Sequence, residues 1–160
     1  MTHLWTPWRS KYMTERKDKR SCIFCDAVAS EEDERTLLVH RGEHTFVILN
    51  RYPYTSGHLM VAPYSHVSRL THISEAAAYE MMQFVRQAET VLQVIYRPQG
   101  LNLGMNLGEA AGAGIEQHIH MHVLPRWSGD ANFMTSIGDT RIIPEALEDT
   151  YSKLRGAFSK

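Results

Sequence analysis

The feature that most constrains this chain is an alternation of histidine with apolar residues, His-Ile-His-Met-His-Val-Leu, over residues 118–124. In an extended strand, successive side chains point to opposite faces, so His118, His120 and His122 are predicted to share one face. The apolar residues between them would then face a core. A lone histidine is usually structural, but three in a row beside a glycine-rich loop favour chemistry, because imidazole acts as a base, a nucleophile or a metal ligand near neutral pH.

Short apolar stretches elsewhere predict the rest of a sheet, and two segments predict helices. A helical spacing of apolar residues follows Ser74, a suitable N-cap, and ends before Pro98. Pro144 can open a final helix over residues 144–158. The charged residues 31–35 are expected to form an exposed loop. Strands are predicted over residues 36–40, 45–50, 58–63, 101–107 and 118–124. The predicted fold class is α+β, with a mostly antiparallel sheet of about five strands, one long helix and a C-terminal helix.

Composition excludes several classes of protein. The length of 160 residues suits a single domain, 1–160, in which the basic and aromatic residues 1–20 form an N-terminal arm. Seventeen basic and eighteen acidic residues give a net charge of −1, which argues against a nucleic-acid partner. The sequence has neither an apolar run of the ~20 residues that span a membrane nor the apolar core of a secretory signal at its start. We therefore expect a cytoplasmic protein with no membrane partner.

The histidine row limits the chemistry that such a site could perform. A neutral imidazole nitrogen can attack an electrophile when the other ring nitrogen donates a hydrogen bond that fixes the tautomer. Phosphorus and acyl centres form the corresponding covalent adducts. The preceding loop, Gly108 to Gly114, can bring backbone N–H groups close to an anion because glycine lacks a Cβ. Together these features indicate phosphoryl or nucleotidyl transfer.

The only two cysteines, Cys22 and Cys25, are spaced as C-x-x-C. In a reducing compartment this spacing is typical of half a metal site or of a redox pair, and two free thiols are the third alternative. A redox pair usually opens a helix after a strand, and the polar residues 10–21 do not predict such a strand. A zinc site needs two further ligands, and the nine histidines of the chain could supply them.

The histidine row resembles the motif that defines the histidine triad (HIT) superfamily of nucleotide hydrolases and transferases. The resemblance covers residues 22–135, the HIT-like core, and includes FVILNRYPYTSGHLMVAPYSHVSRL. Three shorter segments, LWTPWR, NLGEAAG and PRWSGDANFM, resemble the bacterial diadenosine tetraphosphate phosphorylase branch. The resemblance implies cleavage of a (di)nucleoside polyphosphate at the α-phosphorus through a nucleotidyl-histidine intermediate. The alternatives are a purine nucleoside phosphoramidase and an AMP-binding regulatory module with little turnover.

The same resemblance assigns roles to individual residues. His120 corresponds to the nucleophile, His122 to the histidine that contacts the phosphates and the leaving group, and His118 to a residue that sets their geometry. The substrate-binding residues that it implies are Asn50 at the ribose, Phe46 and Ile48 beside the base, and Asn106, Gly112 and Gly114 near the phosphates. Many relatives carry a hydroxyl residue where this chain has Ile115, so the acceptor, water or phosphate, is left open.

Zinc-bearing members of the superfamily also supply a ligand set. Their pattern implies Cys22, Cys25, His66 and His118 here, a closed Cys₂His₂ group of the structural Zn²⁺ type. Members of the superfamily are commonly two-fold dimers that pair through the long helix and a strand. The resemblance therefore also implies a homodimer.

Overall fold

The computed structural model describes residues 22–130 and 144–158, and the sheet lies within them. Its strands are β1 Leu38–Arg41, β2 Thr45–Leu49, β3 Leu59–Pro63, β4 Gly100–Gly104 and β5 Met121–Arg126. The strand order is β1-β2-β3-β5-β4, and every neighbouring pair is antiparallel. The predicted arm over residues 1–20 and the end of the predicted core, 131–135, lie outside the described residues.

Four α-helices accompany the sheet in the described part of the chain: α1 Ile23–Ala29, α2 Asp33–Thr36, α3 Glu75–Tyr96 and α4 Leu147–Phe158. Single 3₁₀ turns occur at Leu70–His72 and Glu109–Ala111. The helix α3 begins as predicted, because the Ser74 side chain accepts the Ala77 N–H at 3.1 Å. The predicted α+β class, with an antiparallel sheet, a long helix and a C-terminal helix, is confirmed.

The central strands are buried on both faces. On one face, α3 and α4 pack against alternate residues such as Val47, Leu59 and Val61. The other face carries Phe46, Ile48, Met60 and Ala62, and α1 covers it through Phe24 and Ala27. This explains why β2 and β3 are continuous apolar runs, since each side chain finds a core on its own side. Truncation of such a residue to alanine costs about 2–5 kcal/mol.

The two edges of the sheet differ. The helix α4 covers β1, because Tyr151 donates its hydroxyl to the Leu38 carbonyl at 3.2 Å and Arg155 donates to the Val39 carbonyl at 2.7 Å. At the other edge, β4 pairs only with β5 among the described residues, and Leu103 stays exposed. One edge is therefore satisfied within the chain, and the other can accept a partner strand.

Several boundaries predicted for helices and strands were wrong, and the one at the start of β5 affects the position of the histidines. Residues 33–36 form α2 where a loop and the start of a strand were predicted, and β4 ends at Gly104 rather than at residue 107. The predicted histidine strand begins only at Met121. The segment before it is held differently, because the Ile119 N–H donates to the Val67 carbonyl at 2.8 Å. His118 and His120 therefore precede the sheet.

No helix within residues 22–130 and 144–158 combines the length and apolar character that a membrane span requires.

Candidate active site

A pocket of about 700 Å³ opens between α1 and the face of the sheet that carries Ile48 and Met60. A volume of this size is typical of small-molecule sites. His120 and His122 line it together with most of the substrate residues named from the sequence: Ile48, Asn50, Asn106, Gly112 and Gly114. The buried residue Ile115 lines it as well. The structure thus brings together residues from β2, β5 and the glycine-rich loop, which are far apart in the sequence.

His120 is buried, and its hydrogen bond fixes the state of its ring. Its Nδ1 lies 2.9 Å from the backbone carbonyl oxygen of His118, an atom that can only accept. Nδ1 therefore carries the hydrogen, and Nε2 keeps a lone pair. Burial lowers the pKa of His120 below its usual value, which favours the neutral ring. This is the state that a nucleophilic imidazole requires.

His122 is held by another histidine, His58, which is fully buried and directly precedes β3. The Nδ1 of His58 accepts the backbone N–H of Tyr54 at 3.2 Å and lies 3.3 Å from the amide nitrogen of Asn50. The hydrogen of His58 is therefore on Nε2, which lies 2.9 Å from Nδ1 of His122. His122 accepts there, so its own hydrogen is on Nε2.

The electrostatic setting of His122 is consistent with this arrangement. Burial, and after it the neighbouring His120, lower the pKa of His122 to about 4. The ring is then neutral near pH 7 and acts as a hydrogen-bond donor through Nε2–H. The ring centroids of His120 and His122 are 4.8 Å apart, with the ring planes at 76°, and both rings line the pocket.

The apolar end of the pocket is formed by α1, an element that the sequence interpretation missed. Ile23, Phe24 and Ala27 line the pocket, and the Phe24 ring lies 4.8 Å from the His120 ring, centroid to centroid. Phe46 was expected to flank the base, but it is fully buried behind Phe24, with ring centroids 6.3 Å apart, and it is not part of the pocket lining. Phe46 instead supports the side chain that forms the wall.

The glycine-rich loop offers fewer backbone donors than expected. The N–H groups of Ala111, Gly112 and Ala113 are donated within the loop, to the carbonyls of Gly108 and Glu109. Gly108 and Gly112 both have φ of 84°, a left-handed conformation that favours glycine, and this allows the tight 3₁₀ turn between them. Gly114 lines the pocket, and within the described residues its N–H donates to no protein group. The end of the loop is therefore the part that can contact an anion.

Four further side chains converge at the other end of the histidine segment. The Nδ1 of His118 lies 3.4 Å from Sγ of Cys22 and 3.6 Å from Sγ of Cys25, and Nδ1 of His66 lies 3.3 Å from Sγ of Cys25. All four ligand atoms lie within 4.8 Å of one another. The ring of His118 is oriented by its other nitrogen, because Nε2–H donates to the Pro63 carbonyl at 2.8 Å.

This cluster fits zinc. Tetrahedral zinc bonds of about 2.0–2.3 Å place neighbouring donor atoms roughly 3.3–3.8 Å apart, and the three nitrogen–sulfur separations given above fall in that range. Burial raises the pKa of Cys22, but hydrogen bonds with His118 and the backbone outweigh this and lower it to about 6, so the thiolate forms readily. Burial, and then Cys22 itself, raise the pKa of Cys25 to about 11. Cys22, Cys25, His66 and His118 thus form a candidate zinc site, and the zinc prediction is confirmed.

Comparisons with known proteins agree with this geometry. The model of the HIT domain family matches residues 31–129. A curated relative, the AP-4-A phosphorylase of Mycobacterium tuberculosis, is 42% identical over 157 residues, which cover 94% of this chain and 80% of that protein. The Bacillus subtilis protein named Protein hit is 30% identical over 84% of this chain and 92% of its own length.

Solved structures show the same fold. The crystal structure of a zinc-bound histidine triad family protein from Mycobacterium smegmatis superposes with a TM-score of 0.68 at 28% identity, covering 87% of this chain and 94% of that one. A HIT family member from Bacillus subtilis gives a TM-score of 0.62 at 29% identity, covering 86% and 96%. The arrangement of elements is therefore shared with solved structures, one of which is a zinc-bound protein.

Proposed function

We propose that this chain, which belongs to the HIT domain family, is an enzyme that cleaves a dinucleoside polyphosphate at an α-phosphorus through a nucleotidyl-His120 intermediate. The observation that carries the proposal is the state of the His120 ring, whose hydrogen is held on Nδ1 and whose Nε2 is left with a lone pair beside the pocket. The named relative supports diadenosine tetraphosphate as the substrate.

In the proposed first step, Nε2 of His120 attacks the α-phosphorus, and a P–N bond forms while the bond to the bridging oxygen breaks. His122 donates its Nε2–H to the phosphate oxygens or to the departing oxygen, which leaves as part of ATP when the substrate is diadenosine tetraphosphate. His58 keeps His122 in the tautomer that can donate. Geometry of this kind contributes by positioning, because the reacting groups are already oriented in the free protein.

In the second step an acceptor attacks the phosphorus and releases His120. Attack by inorganic phosphate yields ADP, whereas attack by water yields AMP. We propose phosphate, on the similarity to the named phosphorylase and on the apolar Ile115 in the pocket. Arg126, at the end of β5, is already engaged, because its guanidinium donates to Asp130 at 2.5 and 2.9 Å and to Asn102 at 2.6 Å. The end of the glycine-rich loop is the better candidate to hold this phosphate.

Zinc has a structural part in this proposal. Cys22, Cys25, His66 and His118 would hold it, and as a closed set of four protein ligands it would supply no open position for substrate. Its ligands lie on both sides of Phe24 in the sequence and two residues before His120. The metal would therefore hold α1, which forms the apolar wall, against the segment that carries the nucleophile.

The setting and assembly that we propose follow the sequence interpretation. A single domain over residues 1–160 would act as a homodimer through α3 and the edge of β4 that pairs with no other described strand, where Leu103, Met82 and Val94 are exposed apolar residues. The mass in solution, measured by light scattering, tests this assembly. A cytoplasmic location suits a cysteine pair that binds metal in its reduced form.

The decisive experiment compares products with and without phosphate. Diadenosine tetraphosphate should be cleaved faster as inorganic phosphate is added, and the products should be ADP and ATP in equal amounts. Isotopically labelled phosphate should appear in ADP and not in ATP, because it attacks only the nucleotidyl-histidine.

Each alternative predicts a different outcome. Formation of AMP and ATP at a rate that phosphate does not change would identify a hydrolase. Preferred cleavage of an adenosine phosphoramidate would favour the phosphoramidase, and tight AMP binding without turnover of any of these substrates would favour the regulatory module.

A further inference from the structure

One face of α1 lines the pocket with both apolar and polar residues. Ile23, Phe24, Asp26 and Ala27 of α1 belong to the pocket lining, at the spacing that places residues on one side of a helix, and Ser30, directly after α1, belongs to it as well. Ile23 is 53% exposed although it is a large apolar residue, so a ligand that enters the pocket can cover it. Together with Ile48 of β2, which also lines the pocket, these residues form the part of the pocket that is called the slot below.

The charged groups around this slot are not equivalent. Arg35 forms an ion pair with Glu32, and Arg51 donates to the Arg35 carbonyl at 2.9 Å. Asp26 is exposed, and its carboxylate has no hydrogen-bond or ion-pair partner among the residues that the structure describes. An ionised carboxylate only accepts hydrogen bonds. The rim of the slot therefore presents one charged acceptor that nothing in the described fold uses.

We infer that Asp26 determines base specificity by accepting a hydrogen bond from the exocyclic amino group of a purine held in the slot. The inference rests on the proposed function, since it concerns the base of the same nucleotide. Adenine carries an amino group at position 6, whereas unsubstituted purine has the same ring with only hydrogen there. In this proposal the purine ring stacks on Ile23 and Ile48, which both line the pocket, and its edge meets Asp26, which lines the same pocket.

Binding of nucleoside monophosphates tests this inference without any turnover. We expect calorimetry to show that wild type binds AMP about tenfold more tightly than purine riboside 5′-monophosphate, which lacks only the amino group. In Asp26→Ala the ratio should fall to about one, because AMP loses affinity and the unsubstituted purine does not. In Asp26→Asn the amide oxygen remains a neutral acceptor, so an intermediate ratio is expected.

Glu31→Ala is the matched control. Glu31 is also an exposed carboxylate at this end of the molecule, but it does not line the pocket. Its removal changes net charge equally and should leave the tenfold ratio intact. Zinc content, measured on each variant, should equal that of wild type because Asp26 is outside the ligand set. If Asp26→Ala loses metal, the affinity ratio of the isosteric variant Asp26→Asn is the one that tests the inference.

The inference is overturned by an equal affinity of wild type for the two nucleotides, by an unchanged ratio in both Asp26 variants, or by binding of neither nucleotide. Its failure is distinct from failure of the proposed function. A protein that discriminates through Asp26 but cleaves no dinucleoside polyphosphate would retain the base site and lose the proposed reaction. A phosphorylase that binds both nucleotides equally would show the reverse.

Discussion

His118 and His120 are two residues apart in the sequence, yet they belong to two different sites. His118 is part of the candidate zinc cluster, and His120 lines the pocket. His118 uses Nε2–H to bind the Pro63 carbonyl and turns Nδ1 towards the cysteine pair. His120 uses Nδ1–H to bind the His118 carbonyl and keeps Nε2 for the pocket. Both rings are buried and both are fixed by one backbone carbonyl. The difference teaches that the position of the carbonyl partner, more than the residue type, selects which nitrogen is available and therefore what the histidine does.

The largest effect is expected from removal of His120, which should abolish the chemistry of the pocket and leave the metal cluster in place. We expect His120→Ala to lower the rate of diadenosine tetraphosphate cleavage by at least about 10³-fold, because the attacking nitrogen is lost. Zinc content and melting temperature should remain close to those of wild type, since the His118 carbonyl and its ring stay in place. Steady-state rates and metal analysis on the same preparation measure both. Near wild-type turnover would contradict the covalent mechanism.

Removal of a cysteine should give the opposite pattern. Cys22→Ser weakens the cluster by replacing a thiolate with a hydroxyl, and zinc content should fall well below one ion per chain. A loss of about 3 kcal/mol in the free energy of unfolding would lower the melting temperature by roughly 6–12 °C. Calorimetry with metal analysis measures both quantities. Ser68→Ala, outside the ligand set, serves as the control. If neither Cys22→Ser nor a strong chelator changes the melting temperature, the metal has no structural role.

The smallest of these effects concerns His58, which acts only through His122. In His58→Leu the Nδ1 of His122 loses its donor, so either ring nitrogen of His122 can carry the hydrogen. We expect kcat to fall by about 10²-fold while KM and zinc content change little. The variant His58→Gln keeps a donor and should retain more of kcat than His58→Leu, which a purely structural role would not explain. A fall in stability without recovery by Gln would assign His58 to packing.

The sequence predicted the strands and the long helix because their apolar residues recur at strand and helix periods. It did not predict α1, since seven residues make too few turns for a period to emerge. The histidine strand was placed too early because the bond from the Ile119 N–H to the Val67 carbonyl joins residues distant in sequence. His58 was underestimated for a similar reason, as its role depends on the pairing of β3 with β5.

The candidate site was predicted unevenly as well. The four metal ligands came from the resemblance and lie together in the structure. The position of Phe46 behind Phe24 could not be predicted, because it requires knowing that α1 covers this face of the sheet. Likewise, the ion pair that engages Arg126 depends on Asp130, in the turn that follows β5. Side chains whose partners lie in loops are the ones that a linear pattern describes least.

The unequal edges of the sheet limit how copies of this chain can associate through β4. Within residues 22–130 and 144–158, α4 occupies the β1 side through Tyr151 and Arg155, so the edge left for a strand of a second copy is that of β4. Two copies that met there around a two-fold axis would each use this edge, and the described part of the chain would offer no second edge to template another. Association through strand pairing would then stop at a dimer and would not continue into a filament. A C-terminal helix that contributes nothing to the pocket lining would in this way limit polymerisation.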